Sequence, residues 1–136
     1  MSDENKRIVR DFFDLCWNQN KPDEAIAQYR DPNCISHGLA AADLRGLAAY
    51  RAFLEVARNR FKETRIVVHD TIAEGDKVAF RASLHAKIDG KPVTLHGFGQ
   101  VRIDQGKIVE AYNGWDTLGL LAQWKGHTAS LEEALR

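Results

Sequence analysis

Most of the strong functional signals are missing from this sequence. It has two cysteines, Cys16 and Cys34, in 136 residues. Two thiols without CxxC spacing make neither a disulfide framework nor a zinc site. They read as reduced thiols in a cytoplasmic protein. No charge excess is present, because nineteen basic residues balance nineteen acidic ones. A non-specific nucleic-acid binder needs a positive surplus to displace counterions, so no nucleic-acid partner is expected. No apolar run approaches the roughly 18 residues that span a membrane. The opening MSDENKRIVRDFF is acidic and then amphipathic, unlike a secretory signal. No membrane partner is expected either. The five histidines are scattered, with no HxH or HxxxH pair, so no metal site is expected. GxGxxG, Walker-type and GxSxG motifs are all absent. The chemistry left is cofactor-free: carboxylates, histidine, tyrosine and indole.

What is present fits one globular domain, expected over 1–126 with a tail at 127–136. The apolar fraction is 44% and the charged fraction 28%, and a chain of this size buries about two-thirds of its unfolded surface. The first half reads as helices. Ser2, Asp3 and Glu4 suit a helix start, and Ile8, Val9, Phe12, Phe13, Leu15 and Cys16 follow at helical spacing. Asn18 to Pro22 stops that helix. Pro22 suits the first turn of a second one through Ala25, Ile26 and Tyr29, which Asp31-Pro32 ends. Cys34 to His37 reads as a short extended piece. A third helix is expected from about Leu47 to Phe61. The second half reads as strands: Arg65–Ala73, Lys77–Ile88, Lys91–Ile103 and Lys107–Trp115, with tight turns at Gly75-Asp76, Asp89-Gly90 and Gln105-Gly106. A short closing helical turn through Leu118 to Trp124 follows. Helices and then an antiparallel meander make an α+β fold, one twisted sheet wrapped around the helices.

Tight turns fix register, and register fixes faces. A two-residue loop at Asp89-Gly90 pairs Ser83 with His96. One face then carries Val78, Phe80, Ala82, Leu84 and Ala86 opposite Val93, Leu95, Gly97, Gly99 and Val101. That face should pack on the helices. Arg81, Ser83, His85, Thr94, His96, Phe98 and Gln100 point outward. Carried through Gln105-Gly106, the same register puts Glu110, Tyr112 and Asp116 on the helix side, unless a one-residue bulge flips them. Carboxylates there would be costly unless paired or protonated. Gly97 and Gly99 would leave a hollow beside them, and a hollow with carboxylates of raised pKa is a common form of acid/base site. His37, just before Gly38, could stand at the rim, and His127 in the tail reads as exposed. For the strand at 65–73 two settings stay open. One turns Ile66, Val68, Asp70 and Ile72 inward; the other turns His69 inward.

Several stretches taken together are similar to the SnoaL-like polyketide cyclase and ester cyclase family of the nuclear-transport-factor-2-like superfamily. They are FFDLCWNQNKPDEAIAQY, ISHG, AEGDKVAFR and GKIVEAYNGWDTLGLLAQW, over about residues 5 to 125. The resemblance implies a cone: a curved antiparallel sheet around three helices, with a deep apolar pocket. By position it carries Glu110 onto the glutamate of G-K-I-V-E, Asp116 onto the aspartate of the W-D pair, His37 onto the histidine after the second helix and Trp17 onto the aromatic ending the first. Ala111 and Tyr112 stand where histidine and tryptophan are common in the family. The function expected is a small cofactor-independent enzyme, cyclase- or isomerase-like, acting on a hydrophobic carbonyl compound. Asp116 would be general base, with Glu110 as second carboxylate and His37 as hydrogen-bond partner. Tyr112 and Trp17 would line the pocket. The alternative is a non-catalytic small-molecule-binding or protein-interaction domain of the same fold. The outward face has the composition of a subunit interface, and family members often pair sheet to sheet, so a homodimer centred near His96 and Phe98 is expected.

Overall fold

The computed structural model describes residues 2–125 and 130–136, so His127 lies outside the described residues. The first helix, α1 (Ser2–Phe13), buries Ile8, Val9 and Phe12, the stripe set by their spacing, and carries Asp3 and Glu4 in its first turn. It runs into a wider, π-helical turn, Asp14–Asn18. The side chain of Asn18 fixes this turn. Its amide donates to Ile66 O (3.0 Å) and its oxygen accepts from Ile66 N (2.7 Å). Helix α2 (Pro22–Tyr29) has Pro22 in its first turn and buries Ala25 and Ile26. Strand β1 (Arg30–His37) follows directly. After the short strand β2 (Leu44–Arg45) comes α3 (Gly46–Arg60), which buries Tyr50 and Leu54.

Four long strands follow: β3 (Lys62–Glu74), β4 (Lys77–Ile88), β5 (Lys91–Asp104) and β6 (Lys107–Trp115). Helix α4 (Thr117–Lys125) and the one-turn helix α5 (Leu131–Ala134) complete the chain. The sheet has six strands in the order β2-β1-β6-β5-β4-β3 and curls around the helices without closing. This is the expected α+β cone. One pairing departs from an all-antiparallel sheet: β1 runs parallel to β6. No helix among the described residues is long and apolar enough to cross a membrane.

The β4/β5 register is the one the Asp89-Gly90 turn dictates. Ile88 pairs with Lys91, and Ser83 with His96. Both turn residues have positive φ, 52° and 78°, as a type I′ turn requires. Val78, Phe80, Ala82 and Leu84 are buried in the core with Val101. The β5/β6 register holds only for its first steps. Asp104 pairs with Lys107 and Ile103 with Ile108, but Arg102 then pairs with Glu110. Val109 is an extra residue, a β-bulge, and a bulge reverses every face beyond it. Ala111, Asn113 and Trp115 therefore face the helices, while Glu110 and Tyr112 face outward. The expectation that Ile108 and Glu110 share a face fails, although the cone is kept. A second bulge at His69 separates the pairs Val68–Ala82 and Asp70–Arg81. Ile66 is buried and Val68 packs on the core, whereas Ile72 is 71% exposed. Neither setting of that strand holds along its whole length. Nor is there a hollow at Gly97 and Gly99: a Cβ on Gly97 would lie within 2.7 Å of three atoms of the Trp115 ring, and the Phe80 ring covers Gly99.

Candidate functional site

The concave side of the sheet and the helices enclose an apolar cavity of about 90 Å³. Six aromatic residues stand in its wall: Phe13 from α1, Trp17 from the π-helical turn, Tyr50 and Phe53 from α3, Phe61, and Trp115 from β6. The local sequence explains the placement. The π-helical turn is tied to β3 through Asn18 and through Thr64 Oγ1, which donates to Trp17 O (3.2 Å). Arg58 donates to Cys16 O (3.0 Å) and sits over the Trp17 ring at 5.4 Å. The bulge at Val109 turns Trp115 and Asn113 inward. Asn113 Nδ2 donates to His37 O (3.0 Å), and its Oδ1 accepts from Trp115 Nε1 (3.3 Å).

A smaller inner chamber of about 30 Å³ shares Phe13, Leu39, Tyr50 and Asn113 with the first and adds Arg30 and Ser36 to the lining. The Tyr50 phenol is pushed up to about 12 by burial, against the opposing pull of the Arg30 guanidinium, so it stays protonated. Cys16, also buried, is pushed up to about 12 by the same cause and is no nucleophile. Among the described residues, no carboxylate and no histidine lines either chamber.

The ionisable residues meet elsewhere, on the outer face. His37 Nε2 lies 2.8 Å from Glu110 Oε2, and its Nδ1 lies 3.1 Å from Asp43 Oδ1. The imidazole stacks on Tyr112, with centroids 4.3 Å apart and planes 15° apart. Tyr112 Oη donates to Glu110 Oε2 (3.3 Å), and Arg102 Nε lies 3.9 Å from Glu110 Oε1. The bond to Glu110, helped by Asp43, raises the His37 pKa, and the same bond lowers that of Glu110. The charge of Glu110 raises the Tyr112 pKa. His37 thus sits between two carboxylates that favour its imidazolium form. Among the described residues, no group of three or more His, Cys, Asp or Glu could hold a metal ion.

Asp116 stands apart from both clusters. It is exposed and caps α4, its Oδ1 accepting from Gly119 N (2.9 Å) and its carbonyl from Leu120 N (3.0 Å). Of the residues singled out by sequence, the structure brings His37, Glu110 and Tyr112 together outside the cavity. It sets Trp17 in the cavity wall and leaves Asp116 at a helix end. Asp43, Asn113, Tyr50 and Arg30 went unnoticed. For Asn113 a signal exists: its strand neighbours on the same face, Ala111 and Trp115 at i−2 and i+2, are apolar.

The family model for SnoaL-like polyketide cyclases matches residues 7–124. The chain belongs to the SnoaL-like polyketide cyclase family. Solved structures agree on the family fold. A protein designated a SnoaL-like polyketide cyclase, from Jannaschia sp. CCS1, superposes with a TM-score of 0.79 at 20% identity, covering 90% of this chain and 92% of that one. AclR from Streptomyces galilaeus, designated a hydroxylase, gives 0.80 at 20% identity, over 93% and 98%. A protein designated a polyketide cyclase, from Bacillus cereus, gives 0.79 at 22% identity, over 93% and 83%. No protein of curated function matches the chain. This SnoaL-like chain has its apolar cavity on one side of the sheet and its carboxylate–histidine cluster on the other.

Proposed function

We propose that the protein takes a hydrophobic carbonyl compound of the polyketide class into the cavity between helices and sheet. The observation that carries this reading is the cavity itself, walled by six aromatic rings, with Asn113 and, in the inner chamber, Arg30 and Ser36 as its few polar groups. Such a site is concave, mostly apolar, and orients its ligand through few polar groups. Cyclase-type chemistry there rests on holding a flexible ligand in a ring-forming conformation and on polarising its carbonyl, with no resident cofactor. Asp116, Glu110 and His37 take no direct part, because none of them lines the cavity. The rival reading, binding without turnover, is favoured by the lack of a carboxylate or histidine base in the lining among the described residues. A cytoplasmic setting, in which Cys16 and Cys34 stay reduced, belongs to the same proposal.

The protein is also proposed to form a homodimer through its outer face, where Phe98 is 66% and Tyr112 52% exposed. A shallow groove there runs beside Phe98, Gln100 and Tyr112.

Calorimetric titration with 2-acetonaphthone, a neutral aromatic ketone, tests the cavity. Binding should be seen with the wild type and be lost in Ala57→Trp, which fills the space Ala57 lines. Equal binding by that variant would overturn the reading. Accelerated closure of a linear poly-β-keto ester, abolished by Ala57→Trp, supports cyclisation. Binding without acceleration supports the rival.

A further inference from the structure

Arg30 is unusual among the charged residues of this chain. It is 4% exposed, and its position follows from β1. There Arg30 pairs with the buried Ile108, and the strand then buries Cys34 and Ser36. Its Nε donates to Cys34 Sγ (3.3 Å) and its Nη2 to Ser36 Oγ. The guanidinium carbon lies 3.7 Å from the centroid of the Tyr50 ring and 5.7 Å from that of Phe12. Among the described residues, no carboxylate lies within ion-pair distance of it. A guanidinium stays charged at any pH of interest, and a buried charge without a counter-charge is costly. One thiol, one hydroxyl, the Tyr50 phenol and two aromatic faces carry no negative charge and do not neutralise it.

The Tyr50 phenol also stands close enough to the guanidinium for a side-chain hydrogen bond, which lowers the phenol's pKa against the effect of burial. Arg30 lines the inner chamber together with Ser36, Tyr50 and Asn113. The chamber, about 30 Å³, exceeds the roughly 10–15 Å³ that one water needs but stays small, with room for an end group and not for a ring.

We propose that Arg30 is an anion-binding residue and that the cavity's ligand carries a carboxylate, seated against the guanidinium in the inner chamber while its apolar body fills the aromatic one. This rests on the cavity reading above and adds the charge of the ligand. The Arg30 fork suits two-point contact with a carboxylate, and the Tyr50 phenol and the Ser36 hydroxyl line the same chamber. The low dielectric around the site strengthens each of these bonds.

The test compares ligands of one shape and different charge by calorimetry in chloride-free buffer: 2-naphthoate, 2-naphthamide and 2-acetonaphthone. Wild-type protein should bind naphthoate at least tenfold tighter than naphthamide, with the preference unchanged between pH 6 and 9. Arg30→Met keeps the volume and removes the charge. It should weaken naphthoate on the order of 100-fold, weaken 2-acetonaphthone by less than tenfold, and raise the melting temperature of the unliganded protein. The wild-type comparison stands by itself if that variant does not fold. Binding of the ketone without preference for naphthoate would overturn the carboxylate assignment and leave the cavity reading intact. A preference that survives Arg30→Met would place the anion elsewhere and overturn it as well. No binding of any of the three would overturn both.

Discussion

Replacing Gly97 with alanine adds one methyl group where the structure has no room for it. Gly97 is buried in β5 opposite Trp115, and three atoms of that indole lie within 2.7 Å of the new Cβ position. Ordinary carbon contacts need about 3.5 Å, so the ring must move by roughly 1 Å. Forcing a methylene into a packed core costs about 1–3 kcal/mol. Loss of glycine's freedom in the unfolded chain offsets about 0.4–1 kcal/mol. A net loss of about 1–2 kcal/mol is expected, and for a domain of this size about 3–5 °C in Tm per kcal/mol. Because Trp115 lines the cavity and bonds to Asn113, ketone affinity should fall too. Urea unfolding gives the stability term, with the midpoint lowered and the slope unchanged. Gly114→Ala is the control, since its Cβ would meet only Phe98 O at 3.4 Å; it should be neutral within about 0.5 kcal/mol. A Gly97→Ala midpoint at or above that of the wild type would refute the packing argument.

Asp116→Asn should keep both stability and turnover, because asparagine caps a helix as well as aspartate does, while Asp116→Ala should lose about 1 kcal/mol. A drop of about 10²–10⁴-fold in turnover for the Asn variant, with the fold intact, would make Asp116 a base and contradict the present reading. Sedimentation should give about twice the monomer mass of 15.3 kDa for the wild type and the monomer for Phe98→Glu; a surviving dimer would move the interface to another surface. The pH dependence has a definite sign. His37 has a raised folded pKa, so its contribution is complete below about 6.5 and is lost as pH rises through the folded value. Glu110 has a lowered one, so its contribution is present above about 4.3 and is lost as pH falls through the folded value. The Tm difference between wild type and Glu110→Gln should peak between about pH 5 and 6.5 and shrink toward pH 9; a difference constant with pH would contradict the pairing.

The helices, the four long strands and the Asp89-Gly90 register were legible because each rests on local patterning: apolar spacing, caps, and a turn that only certain residues form. The faces of β6 were not. One extra residue at Val109 changes no composition and leaves the Gln105-Gly106 turn unchanged, yet it exchanges Glu110 and Tyr112 for Ala111, Asn113 and Trp115 on the helix side. Burial could have arbitrated, since Ala and Trp suit a core better than Glu. Asp116 looked out of place inside for the same reason and is in fact a cap. Arg30 gave no local warning. Its burial depends on β1 pairing with β6 across most of the chain, and on an irregularity around Pro32 that no short window reveals.

The central claim is that the ligand site is the aromatic cavity and not the outer carboxylate–histidine cluster. The three tryptophans read this directly. Trp17 and Trp115 line the cavity, whereas Trp124 lies on α4 against Arg60, at 4.7 Å. Protein labelled with 5-fluorotryptophan and titrated with 2-acetonaphthone gives one fluorine resonance for each. Saturable shifts of the Trp17 and Trp115 resonances with Trp124 unmoved are the predicted result. Binding that leaves Trp17 and Trp115 unmoved would contradict it.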